Sequence, residues 1–162
     1  KWCQEQHGHF VGAFKDAFTR VDAHILQKNP SPDGSTALLV WFLADSTSRR
    51  MFYTVNLGDC RAVLCRGGHA VPLTSDHKPS RPDEKKRIEK AGGFVGEKLA
   101  YPAYTLLWAL GIHVRAFGDR SLKTPTALVS CDPEVTRFQV QEDDLFLVMA
   151  CDGVWDVLSN QD

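Results

Sequence analysis

Six consecutive apolar residues, Leu145 to Ala150, run directly into Cys151-Asp152-Gly153. A short continuous apolar run of this kind predicts a strand buried on both faces, and an ionised carboxylate at its end is expensive to bury unless something compensates it. Two readings fit Asp152: a ligand to a divalent cation, or a cap on a helix that begins near Val154. Gly153 permits the tight turn and close backbone approach that suit a ligand site at a strand end.

The same form occurs earlier. The strand-like runs Ala37 to Ala44, Arg50 to Leu57 and Arg61 to Cys65 are rich in Val, Leu, Tyr and Phe, and polar or glycine-containing breaks separate them. Short connections predict antiparallel hairpins, with Asp59 in the tight link Gly58-Asp59-Cys60 where two strands meet. Gly-Asp is ordinary turn chemistry. Two acids at strand ends, brought together by a shared sheet, would nevertheless make an oxygen-rich site for a hard cation such as Mg2+ or Mn2+, although two acids do not complete a two-metal site.

Helices frame these strands. Val11, Phe14, Ala17, Phe18, Val21 and Ile25 recur at three- and four-residue steps, as an amphipathic helix requires. Pro82 to Ala91 forms a second, charged helix with proline in its first turn, acids early and bases late, ended by Gly92-Gly93. Gly67-Gly68 predicts a hairpin with Val71 to Leu73 as its returning strand. The Lys85-Lys86-Arg87 cluster reads as a solvated helix face, and Leu99 to Ile112 shows no usable period.

Further polar residues carry weaker signals. Arg115, before Gly118-Asp119, could meet a phosphate through its planar fork; pairing with Asp119 or another surface acid is the simpler reading. His77 could donate a proton, while its local sequence favours an exposed loop. Asp33-Gly34-Ser35-Thr36 lacks P-loop spacing and reads as a strand-entry turn. His7-Gly8-His9 fits no zinc pattern.

Composition narrows the function classes. A formal net charge of −1 and a pI near 6.6 give no overall attraction to nucleic acid or an anionic membrane. No apolar run reaches the ~18 residues of a membrane helix, and the start shows no signal-peptide pattern. Five cysteines at irregular spacing read as reduced core thiols of an intracellular, cytoplasmic or nuclear protein. With Lys1 where an initiator Met would stand, the 162 residues read as one excised globular unit.

Taken in order, five segments resemble the metal-dependent Ser/Thr protein phosphatases of type 2C. They are Gly34-Ser35-Thr36-Ala37; Asn56 to Leu64; Leu73-Thr74-Ser75-Asp76-His77-Lys78-Pro79 with Glu84 to Gly93; Arg115-Ala116-Phe117-Gly118-Asp119; and Ala150 to Asn160. The resemblance implies an α+β fold in which two antiparallel β-sheets pack as a sandwich flanked by helices, with a flap region, about 79–114, beside a metal site. It assigns Asp152 to the core pair of Mg2+ or Mn2+ ions and Asp59 to an additional, weaker metal. It further implies a phosphoprotein substrate and a metal-activated water that attacks phosphorus in line.

Three departures from the family pattern matter. No segment matches its early Asp-Gly-His-Gly or its earlier phosphate-holding arginine, and its late Asp-Asn is absent too; these losses read as truncation of a single domain, and residues 1–162 alone should not turn over substrate. Val114 stands where the family has a small hydroxyl residue, after the unusual run Tyr101 to Leu110. That run could be an altered flap or a patch for a protein partner. The alternative to a phosphatase is therefore a pseudophosphatase, a scaffold that binds proteins through this region.

Overall fold

The structure, a computed structural model, describes residues 2–28, 33–44, 48–93, 95 and 113–162. In chain order the elements are α1 (Trp2–Lys28), β1 (Gly34–Ser35), β2 (Ala37–Ala44), β3 (Arg50–Leu57), β4 (Arg61–Arg66), β5 (His69–Pro72), α2 (Pro82–Lys90), β6 (Phe117–Gly118), β7 (Glu134–Gln139), β8 (Asp144–Ala150) and the short α3 (Asp152–Trp155). Strand and helix positions follow the sequence pattern closely. The run Tyr101 to Leu110 lies outside the described residues.

Two three-stranded antiparallel sheets form, one ordered β2-β3-β7 and the other β5-β4-β8, with a two-stranded ribbon of β1 and β6 beside them. Phe52, from the first sheet, packs with Ala62 and Leu64 of the second to form the interior of the sandwich. On its other face the first sheet is covered by α1, where Phe18 joins Val55 and Leu57, with Phe14 and Phe117 packed against them. Phe10 and Phe14 of α1 meet the Trp41 ring edge-on at 4.9 and 5.4 Å. The three-and-four spacing of that helix thus serves an aromatic seam against β2 and β3. Full burial of side chains such as Phe52 or Leu57 contributes about 1.5–3 kcal/mol each, so this layer supplies much of the cohesion.

Two sequence expectations change. The Gly58-Asp59-Cys60 link is no hairpin: β3 and β4 belong to different sheets, so the chain crosses there from one layer to the other. Nor is β8 buried on both faces, since Leu145 and Phe146 are 64% and 60% exposed. Its only strand partner among the described residues is β4, and no described helix covers it as α1 covers β3.

Candidate functional site

The crossover between sheets fixes Asp59. Gly58 adopts φ +106°, and a Cβ there would lie 2.2 Å from the Thr36 methyl and 3.1 Å from the Arg115 carbonyl oxygen, so only glycine lets the three segments close up. Asn56 Nδ2 donates to Gly58 O at 3.2 Å, and the His77 amide donates to the same carbonyl at 3.0 Å. His77, expected in an exposed loop, is instead 1% exposed. Its Nδ1 sits 3.0 Å from Gly58 N and 2.9 Å from Gly58 O, and its Nε2 lies 3.3 Å from Glu134 Oε2 without forming a hydrogen bond. Nδ1 is thus in reach of both the Gly58 amide and its carbonyl, and which it bonds follows from the ring's tautomer. His77 therefore braces the turn that carries Asp59 and is not presented to solvent.

Asp59 itself is clamped. Lys78 Nζ lies 2.8 Å from one carboxylate oxygen and His113 Nδ1 3.0 Å from the other. Burial opposes the charge, but the hydrogen bonds and positive charges of His113 and Lys78 outweigh it and hold the carboxyl well below the ordinary carboxylate range. The imidazole of His113 is raised in turn, mostly by its bond to Asp59, with burial opposing and with Asp152 and Asp119 adding to the pull. Of these acids only Asp59 contacts the His113 ring; Asp152 and Asp119 act on it at longer range. His113 carries no sequence signal, since it adjoins the stretch without a readable period.

The short α3 begins at Asp152 itself, with the extended Cys151 at its N-cap and no side-chain cap bond, so Asp152 is not the cap of a helix that starts near Val154. Asp119 occupies the left-handed region at φ 50°, and its amide donates to the Asp33 carbonyl at 3.1 Å. Burial pushes its carboxyl up, against Lys123 and His113 and together with Asp33 and Asp22. Carboxylate oxygens are the ligand type a hard divalent cation takes, but Asp59 is already paired with Lys78 and His113. Among the described residues, however, no three of His, Cys, Asp and Glu converge tightly enough to hold one.

Arg115 turns away from Asp119. Its guanidinium pairs with Glu84, through Nε at 2.9 Å and through Nη2, and donates to Asp132 O at 2.8 Å. Glu84 is 1% exposed and is also held by Arg87 at 2.9 Å, whose remaining N–H groups reach the carbonyls of Leu128 and Val114. Arg87 therefore leaves the solvated face on which Lys85 and Lys86 remain. The clamp ties α2, at the root of the expected flap, to the segment leading into β6. Val114, where a hydroxyl was expected from the resemblance, is fully buried. Glu84 could not be singled out from sequence because it lies among charges that look like surface.

The His-Gly-His segment is structural: His7 stacks on Tyr53 with ring centroids 5.6 Å apart. The described cysteines are free thiols, but Cys60, Cys65 and Cys131 are only partly buried and Cys151 is exposed, so they are not core residues. No described helix is long and apolar enough to cross a membrane.

Comparisons with known proteins bear on the family and the fold. The chain is 39% identical over 158 residues to "Probable protein phosphatase 2C 59" of Arabidopsis thaliana, covering 94% of this chain and 46% of that protein. It is 43% identical to "Probable protein phosphatase 2C 14" of the same plant, covering 94% of this chain and 32% of the relative, so it spans half or less of these relatives. Among solved structures, a serine-threonine phosphatase 2C from Toxoplasma gondii superposes with a TM-score of 0.69 at 26% identity, covering 93% of this chain and 52% of that one. The family described as "Protein phosphatase 2C" matches residues 4–162, and with relatives of this similarity on the same antiparallel sandwich, the chain belongs to the protein phosphatase 2C family.

Proposed function

We propose that the complete protein is a metal-dependent phosphatase acting on phosphoserine and phosphothreonine in proteins, and that residues 1–162 are part of its catalytic domain. The observation that carries this reading is the membership of residues 4–162 in the protein phosphatase 2C family, with Asp59 held at the crossover between the two sheets by Lys78 and His113. Bound Mg2+ or Mn2+ would supply Lewis acidity and an activated water for attack on phosphorus. Asp152, less buried than Asp59 and supported by Gly153, is the residue that would hold the core metal; Asp59 would serve the weaker, additional one. His77 fixes the backbone beneath Asp59. Arg115 orients the segment entering Asp119 through Glu84 and leaves phosphate binding to other groups. The region about 79–114 would contact the phosphoprotein substrate or a protein partner.

One feature favours a second reading, a scaffold without turnover: both oxygens of Asp59 are already taken by Lys78 and His113. Turnover of a phosphothreonine peptide by the full-length protein, with and without Mn2+, separates the two. Mn2+-dependent release of phosphate supports the enzyme; a folded protein that releases none under either condition moves the conclusion to the scaffold.

A further inference from the structure

Cys60 and Cys151 adjoin the two candidate acids, and nothing above uses them. In the β4–β8 ladder Arg61 pairs with Ala150, Ala62 with Met149 and Val63 with Val148. One more step of that register sets Cys60 opposite Cys151, which is still extended at φ −81°, ψ 178°. Hydrogen bonding fixes the kind of pair. Ala62 accepts from Leu73 N at 2.9 Å and donates to Thr74 Oγ1 at 3.0 Å, so its main-chain groups point toward β5. Main-chain groups alternate along a strand, so Cys60, like Ala62, points its own away from β8. Cys60 and Cys151 are thus a non-hydrogen-bonded pair, where opposing Cα atoms approach to about 4.5 Å, inside the roughly 4.4–6.8 Å range of a disulfide. Both thiols are free and Cys151 is exposed, and the two lie within electrostatic reach of each other.

We propose that Cys60 and Cys151 form a cross-strand dithiol that a peroxide oxidises reversibly to a disulfide, disabling the site between Asp59 and Asp152. The exposed Cys151 sulfur attacks the O–O bond, giving a sulfenic acid and one water. Cys60 sulfur then displaces the hydroxyl as a second water, so two electrons pass from the thiols to the peroxide, and a dithiol reductant reverses the change. Closing the bond draws the two Cβ atoms to about 3.8 Å from the roughly 4.5–5.5 Å of an open pair. It also takes Cys60 Sγ from Thr36 Oγ1, now 3.3 Å away, and Thr36 is the residue packed on Gly58. Misplacement by about 1 Å at a catalytic geometry costs up to ~100-fold in rate. The loss of turnover rests on the phosphatase reading; the cross-link does not.

The test treats the full-length protein with hydrogen peroxide, alkylates the remaining thiols and maps peptides by mass, with turnover measured alongside. The expected result is a Cys60–Cys151 cross-linked peptide removed by dithiothreitol, with Mn2+-dependent turnover falling at least about tenfold and returning on reduction. Cys60→Ser and Cys151→Ser, with Cys151→Ala as a check on folding, should form no such cross-link and keep their turnover in peroxide. Oxidation of Cys151 to sulfinic acid without a cross-link, a cross-link to another cysteine, or a Cys60–Cys151 cross-link that leaves turnover intact overturns the proposal. A protein inactive before treatment sinks the phosphatase reading, while the mass map still decides the cross-link.

Discussion

Strands β3 and β8 read alike in the sequence, each an apolar run that ends in a Gly-flanked acid, yet they sit at opposite extremes of the fold. Val55 and Leu57 of β3 are fully buried, whereas Leu145 and Phe146 of β8 are 64% and 60% exposed. The first strand is central, with β2 and β7 on its edges, α1 on one face and the second sheet on the other. The second is an edge strand of the described sheet. An apolar run therefore reports that a strand expects covering surfaces, and leaves open which parts of a protein provide them. The acids inherit the difference: Asp59 is enclosed and doubly paired, while Asp152 stands half-exposed at the mouth of a short helix.

The comparison can be broken first by truncation of one aromatic on each strand. Phe52→Ala should cost about 3–5 kcal/mol in denaturant unfolding; Phe146→Ala should cost under ~1 kcal/mol. Equal losses would mean that β8 is buried in the working protein. Next, Glu84→Gln removes the charge that two arginines share beneath the interior, and should cost roughly 1.5–3 kcal/mol; a smaller loss would make that clamp incidental. His77→Leu leaves the Gly58 backbone without its ring partner, a loss of about 1–3 kcal/mol. Its sharper signature is faster hydrogen exchange at Gly58, with the β8 amides unaffected.

The smallest expected effect is a pH slope. Glu134, 3.3 Å from the His77 ring and paired with Arg81, has its carboxyl lowered from 4.5 to about 2, burial opposing. Its contribution to stability is complete above about pH 4.5 and is lost as the pH falls through 2. Since the side chain is 40% exposed, that contribution stays under ~1 kcal/mol. Glu134→Gln should flatten the stability profile in that window and leave it unchanged above it; an unchanged slope contradicts the pairing.

Much of this was legible in advance because strand periodicity and turn residues are local. β2 and β3 begin and end where the apolar runs do, and α2 starts at the proline that signals it. What stayed hidden depends on contacts distant in sequence. His77 lies beneath Gly58, nineteen residues earlier, and nothing beside it reveals burial. Glu84 looks like surface until Arg115, thirty-one residues on, folds over it. The change of sheet at Gly58 could not be told from a hairpin, since a three-residue link serves either. Asp152 and Asp59 drew attention because an acid after an apolar run is costly anywhere, whereas the contact of His113 with Asp59 exists only in three dimensions.

The central claim is that the outer acid holds the essential metal and the enclosed acid an auxiliary one. It is tested most directly by Mn2+ dependence of phosphothreonine-peptide turnover in the full-length protein carrying Asp152→Ala or Asp59→Ala. The account predicts that Asp152→Ala loses turnover by about 1,000-fold or more, as removal of several kcal/mol of metal stabilisation requires, at every Mn2+ concentration. Asp59→Ala should retain turnover and shift only the Mn2+ concentration needed. An Asp152→Ala protein that is folded and as active as the wild type would contradict it.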